Sequence, residues 1–168
     1  PAGLGVWIAN DKCLTKSERL NKYDDITIGA HHNLPSLWKN FKTYETPATP
    51  NVLGIYLLGK IAEDLNAIGA DVVRKQTEEK YKVLNKYVET SNVFSPAVAE
   101  ERHRSRTVVV ANTSKSSAEV IAEVKKANMV VGSGYGPFKD SQIRIANFPA
   151  VSLEQVELLI EELKKLEN

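Results

Sequence analysis

Thr107-Val108-Val109-Val110-Ala111 is the clearest strand signal in this chain of 168 residues. Its β-branched residues suit a pleated, half-buried surface. Downstream, Ser116-x-x-Glu119 has the pattern of a capping box and predicts a helix running to about residue 127. Met129-Val130-Val131 reads as a short strand or strand entry, followed by a turn region with Gly132, Gly134, Gly136 and Pro137. Ile143 to Ala146 reads as another strand. Ser152-x-x-Gln155 caps a last amphipathic helix, with Leu153, Val156, Leu159, Ile160, Leu163 and Leu166 expected inward. The order strand, helix, strand, strand, helix from about residue 97 predicts a small α+β sheet with helices on one face.

Upstream of that unit, two helices are predicted. Thr49-Pro50 is a helix start: Thr can cap the first N–H groups, and Pro is tolerated in the first turn. Leu53, Leu57, Leu58, Ile61 and Leu65 mix with Val52, Ile55 and Tyr56, so apolar side chains nearly encircle the first turns. Such a helix is expected to be buried on most sides, in a core or an interface. Gly69-Ala70 is expected to break or bend it. A second helix, about 71–91, carries a stripe of Val72, Val73, Thr77, Tyr81, Leu84 and Val88, with Lys and Glu on its other face. Asn92 to Pro96 reads as a turn. Nearer the beginning, Leu4 to Ala9 reads as a buried strand, and residues 12–22 begin as a short helix. Residues 23–48 show no sustained period and read as a long loop, a kind of segment that is often functional.

The charges nearly cancel, with 22 Lys+Arg against 21 Asp+Glu. A general nucleic-acid binder needs a basic face to displace phosphate counterions, so no nucleic-acid partner is expected. No apolar run approaches the ~20 residues that span a bilayer, so no membrane partner is expected. The single cysteine, Cys13, excludes an intrachain disulfide and fits a reducing, cytoplasmic setting. The opening Pro1-Ala2-Gly3-Leu4-Gly5, with an apolar run close behind, reads as the C-terminal part of a longer polypeptide. A processed or engineered terminus is the alternative.

Four features bear on chemistry. Gly132-Ser133-Gly134-Tyr135-Gly136 lacks the Gly-Lys-Ser/Thr ending of a phosphate loop and reads as a turn between strands. His31-His32 are adjacent and have no third ligand at a metal-binding spacing. Loop packing is favoured and no metal site is expected; a substrate contact from His32 stays open. Arg144 alternates with Ile143 and Ile145, so it faces away from them. It is either half of a structural pair with a Glu or a fork for a ligand carboxylate. Tyr44-Glu45-Thr46-Pro47-Ala48-Thr49-Pro50 leads into a helix N-terminus, where hydroxyls and N–H groups suit an anion. Capping requires only Thr49 and leaves Thr46 unexplained.

Together these strings resemble the class V, fold-type I aminotransferases that use pyridoxal 5'-phosphate, with the phosphoserine aminotransferase branch as the nearest likeness. Pro1-Ala2-Gly3-Leu4-Gly5-Val6-Trp7-Ile8 looks like the segment that follows the family's cofactor-binding lysine. Thr46-Pro47-Ala48-Thr49-Pro50 looks like its Thr-Pro string. Arg144 in Ile143-Arg144-Ile145-Ala146-Asn147 looks like its carboxylate-binding arginine. The resemblance implies an α/β fold, with residues 1–48 the end of a large cofactor-binding domain. Residues 49–69 would be a linking helix and 70–168 a small α+β domain. It implies a homodimer with shared active sites, in which Thr46 and the neighbouring Glu45 reach the cofactor phosphate of the other subunit. Glu45 is expected to turn its acid away or to use only its backbone N–H. Arg144 would hold the α-carboxylate of the amino acid.

The implied reaction is transamination between a small amino acid and a 2-oxo acid, nearest to the phosphoserine:2-oxoglutarate kind. The Schiff-base lysine is expected just upstream of Pro1, so no catalytic residue is assigned within the chain. The family's phosphate-gripping His-Arg pair is matched by Asn128-Met129. The turn from Gly134 to Ser141 looks like that of the alanine–glyoxylate and serine–glyoxylate relatives, which are the alternative. Lys139, His32 or Arg104 could supply replacement charge. A non-catalytic α+β dimerisation or ligand-sensing module is the third reading.

Overall fold

Residues 3–22 and 28–167 are described by a computed structural model, and the chain divides into two units at Asp64 and Leu65. In the first unit, asparagines set the helix starts. Asn10 accepts from the Cys13 N–H and opens α1 (Asp11–Leu20); Asn33 accepts from the Ser36 N–H and opens α2 (Leu34–Lys42). The Asn33 amide also donates to the Asn21 side chain at 2.8 Å, tying the end of α1 to the start of α2. Helix α2 falls within the expected loop 23–48, of which 23–27 lie outside the described residues. Its nine residues are too few to announce a period, and Asn33 with Pro35 in the first turn carries the signal.

Leu4 to Ala9 is not a strand. No other segment pairs with it among the described residues, and Ile8 stays 96% exposed. A strand needs a neighbour to satisfy its N–H and C=O groups, so sequence preference alone does not make one.

Helix α3 (Val52–Ile68) begins in the first unit. Its cap is Asn51, whose Oδ1 accepts from the Gly54 N–H at 2.9 Å, rather than the expected Thr49. Leu53 and Tyr56 are 68% and 60% exposed, so the burial expected for this helix is not supplied by the described residues.

The second unit carries the main core. Gly69, at φ +96°, separates α3 from α4 (Ala70–Thr90). There follow β1 (Phe94–Pro96), β2 (Val108–Thr113), α5 (Ser117–Lys126), β3 (Gly132–Ser133), β4 (Gln142–Ala146) and α6 (Leu153–Lys164). The sheet order is β1-β2-β4-β3, and every neighbouring pair is antiparallel. Strand β4 lies between β2 and β3, which splits the β2–α5–β3 unit. Val109, Ala111, Ile143 and Ile145 face one cluster with Leu84, Val120 and Leu163. Truncating fully buried Leu84 or Leu163 to Ala costs ~2–5 kcal/mol. Val110, Asn112, Gln142 and Arg144 alternate onto the other face.

Several elements differ from expectation. The turn at 92–96 contains β1, which pairs Phe94 with Thr113. The strand at 129–131 begins at Gly132 instead. Ser116 accepts from the Glu119 N–H, while the reciprocal capping-box bond is present only at Ser152 and Gln155. Leu153 is exposed. Lys80, expected on the polar face of α4, is buried and donates to the carbonyls of Phe148 (2.8 Å) and Val151 (2.6 Å). Burial lowers its pKa from the ordinary 10.5. Asn147, also buried, donates from Nδ2 to Thr77 O and Arg106 O, pinning the end of β4 to α4.

Candidate substrate and cofactor site

In the first unit, the chain leaves α2 through Tyr44, held at φ +58°. The Glu45 N–H, one of the two ways in which Glu45 was expected to serve the site, donates to Asn40 O at 2.9 Å. The Glu45 carboxylate instead lies 3.3 Å from the Thr43 hydroxyl. Thr46 donates its hydroxyl to Ala48 O at 2.6 Å, a bond within its own turn that an incoming acceptor can replace.

This turn borders a cleft of about 360 Å³ lined by Trp7, His31, His32, Thr46, Thr49 and Asn51, among others. Among the described residues no carboxylate lines it. Hydroxyls, imidazoles and the start of α3 therefore present donors and a positive helix end, a donor set that suits a phosphate. Two residues expected at the site, His32 and Thr46, thus share one cleft, and Glu45 is not among its lining residues. Among the described residues no three His, Cys, Asp or Glu side chains gather to hold a metal ion.

In the second unit, Arg144 stands on β4 opposite Val110 of β2 and Gly132 of β3. Its Nε donates to Ser133 O at 2.6 Å, and its guanidinium carbon lies 3.9 Å from the centre of the Tyr135 ring. No Asp or Glu pairs with it among the described residues. Of the two readings open from the sequence, the structural ion pair is therefore not what holds Arg144. One carbonyl and one ring face hold it, and its terminal nitrogens make no hydrogen bond among the described residues.

Arg104 is committed elsewhere. It donates to Val98 O, Ala99 O and Asn85 Oδ1, each at 2.8 Å, and pairs with Glu89. The Glu89 carboxyl is held below its usual value chiefly by the hydrogen bond from Arg104. Arg104 is thus a strap for residues 98–104 and is not available as replacement charge for a substrate phosphate. Lys139 is exposed on the β3–β4 connection. Tyr135 went unnoticed in the sequence because nothing local ties it to a residue nine positions on; the β3–β4 register does.

One unit carries a split antiparallel sheet that presents an arginine with no acidic partner among the described residues, and the other carries a Thr-Pro turn bordering a donor-lined cleft. The family described as Aminotransferase class-V matches residues 1–139, and the chain belongs to that family. The crystal structure of a phosphoserine aminotransferase from Cytophaga hutchinsonii is similar, with 48% identity and a TM-score of 0.89, covering 98% of this chain and 45% of that one. The phosphoserine aminotransferase of Rhodococcus opacus is 30% identical over 163 residues, 92% of this chain and 43% of that protein. That of Haemophilus influenzae is 27% identical over 151 residues, 86% and 41% of the two chains. The chain thus spans less than half the length of the relatives it matches. No helix among the described residues is long and apolar enough to cross a membrane.

Proposed function

We propose that the chain supplies part of the active site of a pyridoxal 5'-phosphate-dependent aminotransferase that moves the amino group of phosphoserine to 2-oxoglutarate. The observation that carries the reading is Arg144, a half-buried guanidinium with no acidic partner among the described residues and its terminal nitrogens left for a carboxylate. The names of the similar proteins support phosphoserine as the donor.

On this reading residues 1–48 end a large cofactor-binding domain, 49–69 link, and 70–168 form a small domain. The cofactor supplies an electron-withdrawing ring that lets the amino group leave Cα and later join the 2-oxo acid. The residues of this chain orient and hold. Arg144 binds the α-carboxylate in a two-pronged contact and so fixes which bond at Cα stands ready to break. Thr46 turns its hydroxyl from Ala48 O to a phosphate oxygen. His32 faces the same cleft and contacts the substrate. No lysine of this chain is assigned to cofactor attachment.

The second copy in a homodimer would cover α3, whose apolar side chains are exposed in the single chain. A contiguous apolar surface of this kind marks an interface. In the shared-site arrangement the Thr46 turn serves the partner's cofactor. One exposed cysteine supports a reducing, cytoplasmic setting.

The test is a donor and acceptor screen on the intact enzyme, with visible absorbance reporting the cofactor. Phosphoserine with 2-oxoglutarate is expected to give the highest kcat/KM. Preference for alanine or serine with glyoxylate would replace the substrate assignment, and the Asn128-Met129 pair favours keeping those donors in the screen. An enzyme with no cofactor absorbance would leave a non-catalytic module.

A further inference from the structure

Arg144 lies on a strand, yet its guanidinium is not free to wander. Its Nε is tied to Ser133 O at 2.6 Å. The face of the guanidinium rests on Tyr135 at 3.9 Å, and Tyr135 is itself 73% exposed. An exposed tyrosine with no hydrophobic core to fill is unexplained by packing. Beneath the group, Gly132 has no Cβ, and one built there would stand 2.9 Å from Nη2. Three residues of one strand and its turn, Gly132, Ser133 and Tyr135, thus shape the seat of one side chain: a missing side chain, a carbonyl and a ring.

From this geometry we infer that Tyr135 is a positioning residue that stacks the Arg144 guanidinium into the plane in which its two terminal nitrogens meet the substrate α-carboxylate. The inference rests on the carboxylate reading of Arg144. The ring gives an arginine two things that water does not. It removes one face from solvent, and it limits rotation about the long side chain, so less freedom is lost when the carboxylate arrives. The carbonyl of Ser133 takes Nε, the nitrogen that a side-on carboxylate would otherwise share. The carboxylate is therefore directed to the end-on, two-nitrogen approach. The contact is made before the substrate binds, so its loss is felt as weaker binding of every donor with an α-carboxylate, whatever its side chain.

The test uses the intact enzyme and the Tyr135→Ala, Tyr135→Phe and Arg144→Ala variants. Tyr135→Ala is expected to raise KM about two- to fivefold, the range of an exposed cation–π contact, for phosphoserine and for glutamate alike. Its kcat and melting temperature should change little. Tyr135→Phe, which keeps the ring, should restore KM. O-phosphoethanolamine, which is phosphoserine without the carboxylate, should inhibit wild type and Tyr135→Ala with the same inhibition constant. A rise in KM for phosphoserine matched by weaker phosphoethanolamine inhibition would overturn the inference, as the effect would not pass through the carboxylate. So would an unchanged KM in Tyr135→Ala while Arg144→Ala raises it. An unchanged KM in Arg144→Ala would instead overturn the carboxylate reading on which the inference stands.

Discussion

Gly132 and Arg144 face each other across β3 and β4, and the arginine's Nη2 lies where a Cβ on residue 132 would stand 2.9 Å away. Gly132→Ala is therefore expected to push the guanidinium off its seat while leaving the sheet intact, because the obstructing atoms are the far end of a flexible side chain. A partial loss of a charge-assisted contact, about 1.5 kcal/mol, raises KM for phosphoserine roughly tenfold. Steady-state kinetics beside a melting curve checks this; a large drop in melting temperature with unchanged KM would count against it.

Thr46 offers one hydroxyl to the cleft shared with His32. Thr46→Ala should weaken cofactor binding by about tenfold, the lower end for a hydrogen bond to a charged acceptor, and Thr46→Ser should recover most of it. Titration of apoenzyme with pyridoxal phosphate, followed by absorbance, gives the ratio. Equal affinity in wild type and Thr46→Ala would remove Thr46 from the phosphate site.

The strap at Arg104 makes an acid-sensitive prediction. Arg104 holds the Glu89 carboxyl below its ordinary 4.5, so the ionised form is favoured in the folded state. The stability this adds is fully present above 4.5 and is lost as pH falls through the lowered folded value. Protection factors for amide exchange across residues 97–106, which divide out the intrinsic pH dependence of exchange, should therefore fall at acid pH in wild type, and much less so in Glu89→Gln, whose protection is already lower at neutral pH. Arg104→Met, which leaves Val98 O and Ala99 O without their donor and Asn85 Oδ1 with the Tyr81 hydroxyl alone, should open the same segment by about 2 kcal/mol at neutral pH. Protection factors independent of pH in wild type would contradict the strap.

Helix α3 exposes Leu53 and Tyr56, 68% and 60% accessible in the single chain. In the proposed homodimer, a double variant, Leu53→Glu with Tyr56→Glu, should shift the intact enzyme from dimer toward monomer in sedimentation velocity, because an unpaired carboxylate is costly in an apolar interface. An unchanged dimer would put the interface elsewhere.

The second unit was largely legible because its signals are local. Alternation put Ile143 and Ile145 on one face and Arg144 on the other, as observed. Ser152 and Gln155 form the capping box their spacing implies, and Gly69 breaks the helices where it was expected to. What escaped depends on distant partners. The sequence around Lys80 has no sign of the Phe148 and Val151 carbonyls that bury it, about seventy positions away. β1 is three residues long and exists only through its pairing with β2. The Leu4 to Ala9 stretch failed in the other direction, a good strand sequence with no neighbour among the described residues. At the site, the residue types of Arg144 and Thr46 could be read from the chain, whereas the Tyr135 seat required the register of β3 against β4.

The most direct measurement is kcat/KM for phosphoserine with 2-oxoglutarate in the intact enzyme and in Arg144→Ala. Loss of a charge-assisted, two-pronged contact of about 1.5–3 kcal/mol lowers kcat/KM by roughly ten- to a hundredfold or more. An Arg144→Ala enzyme as efficient as wild type would mean that the α-carboxylate is held elsewhere.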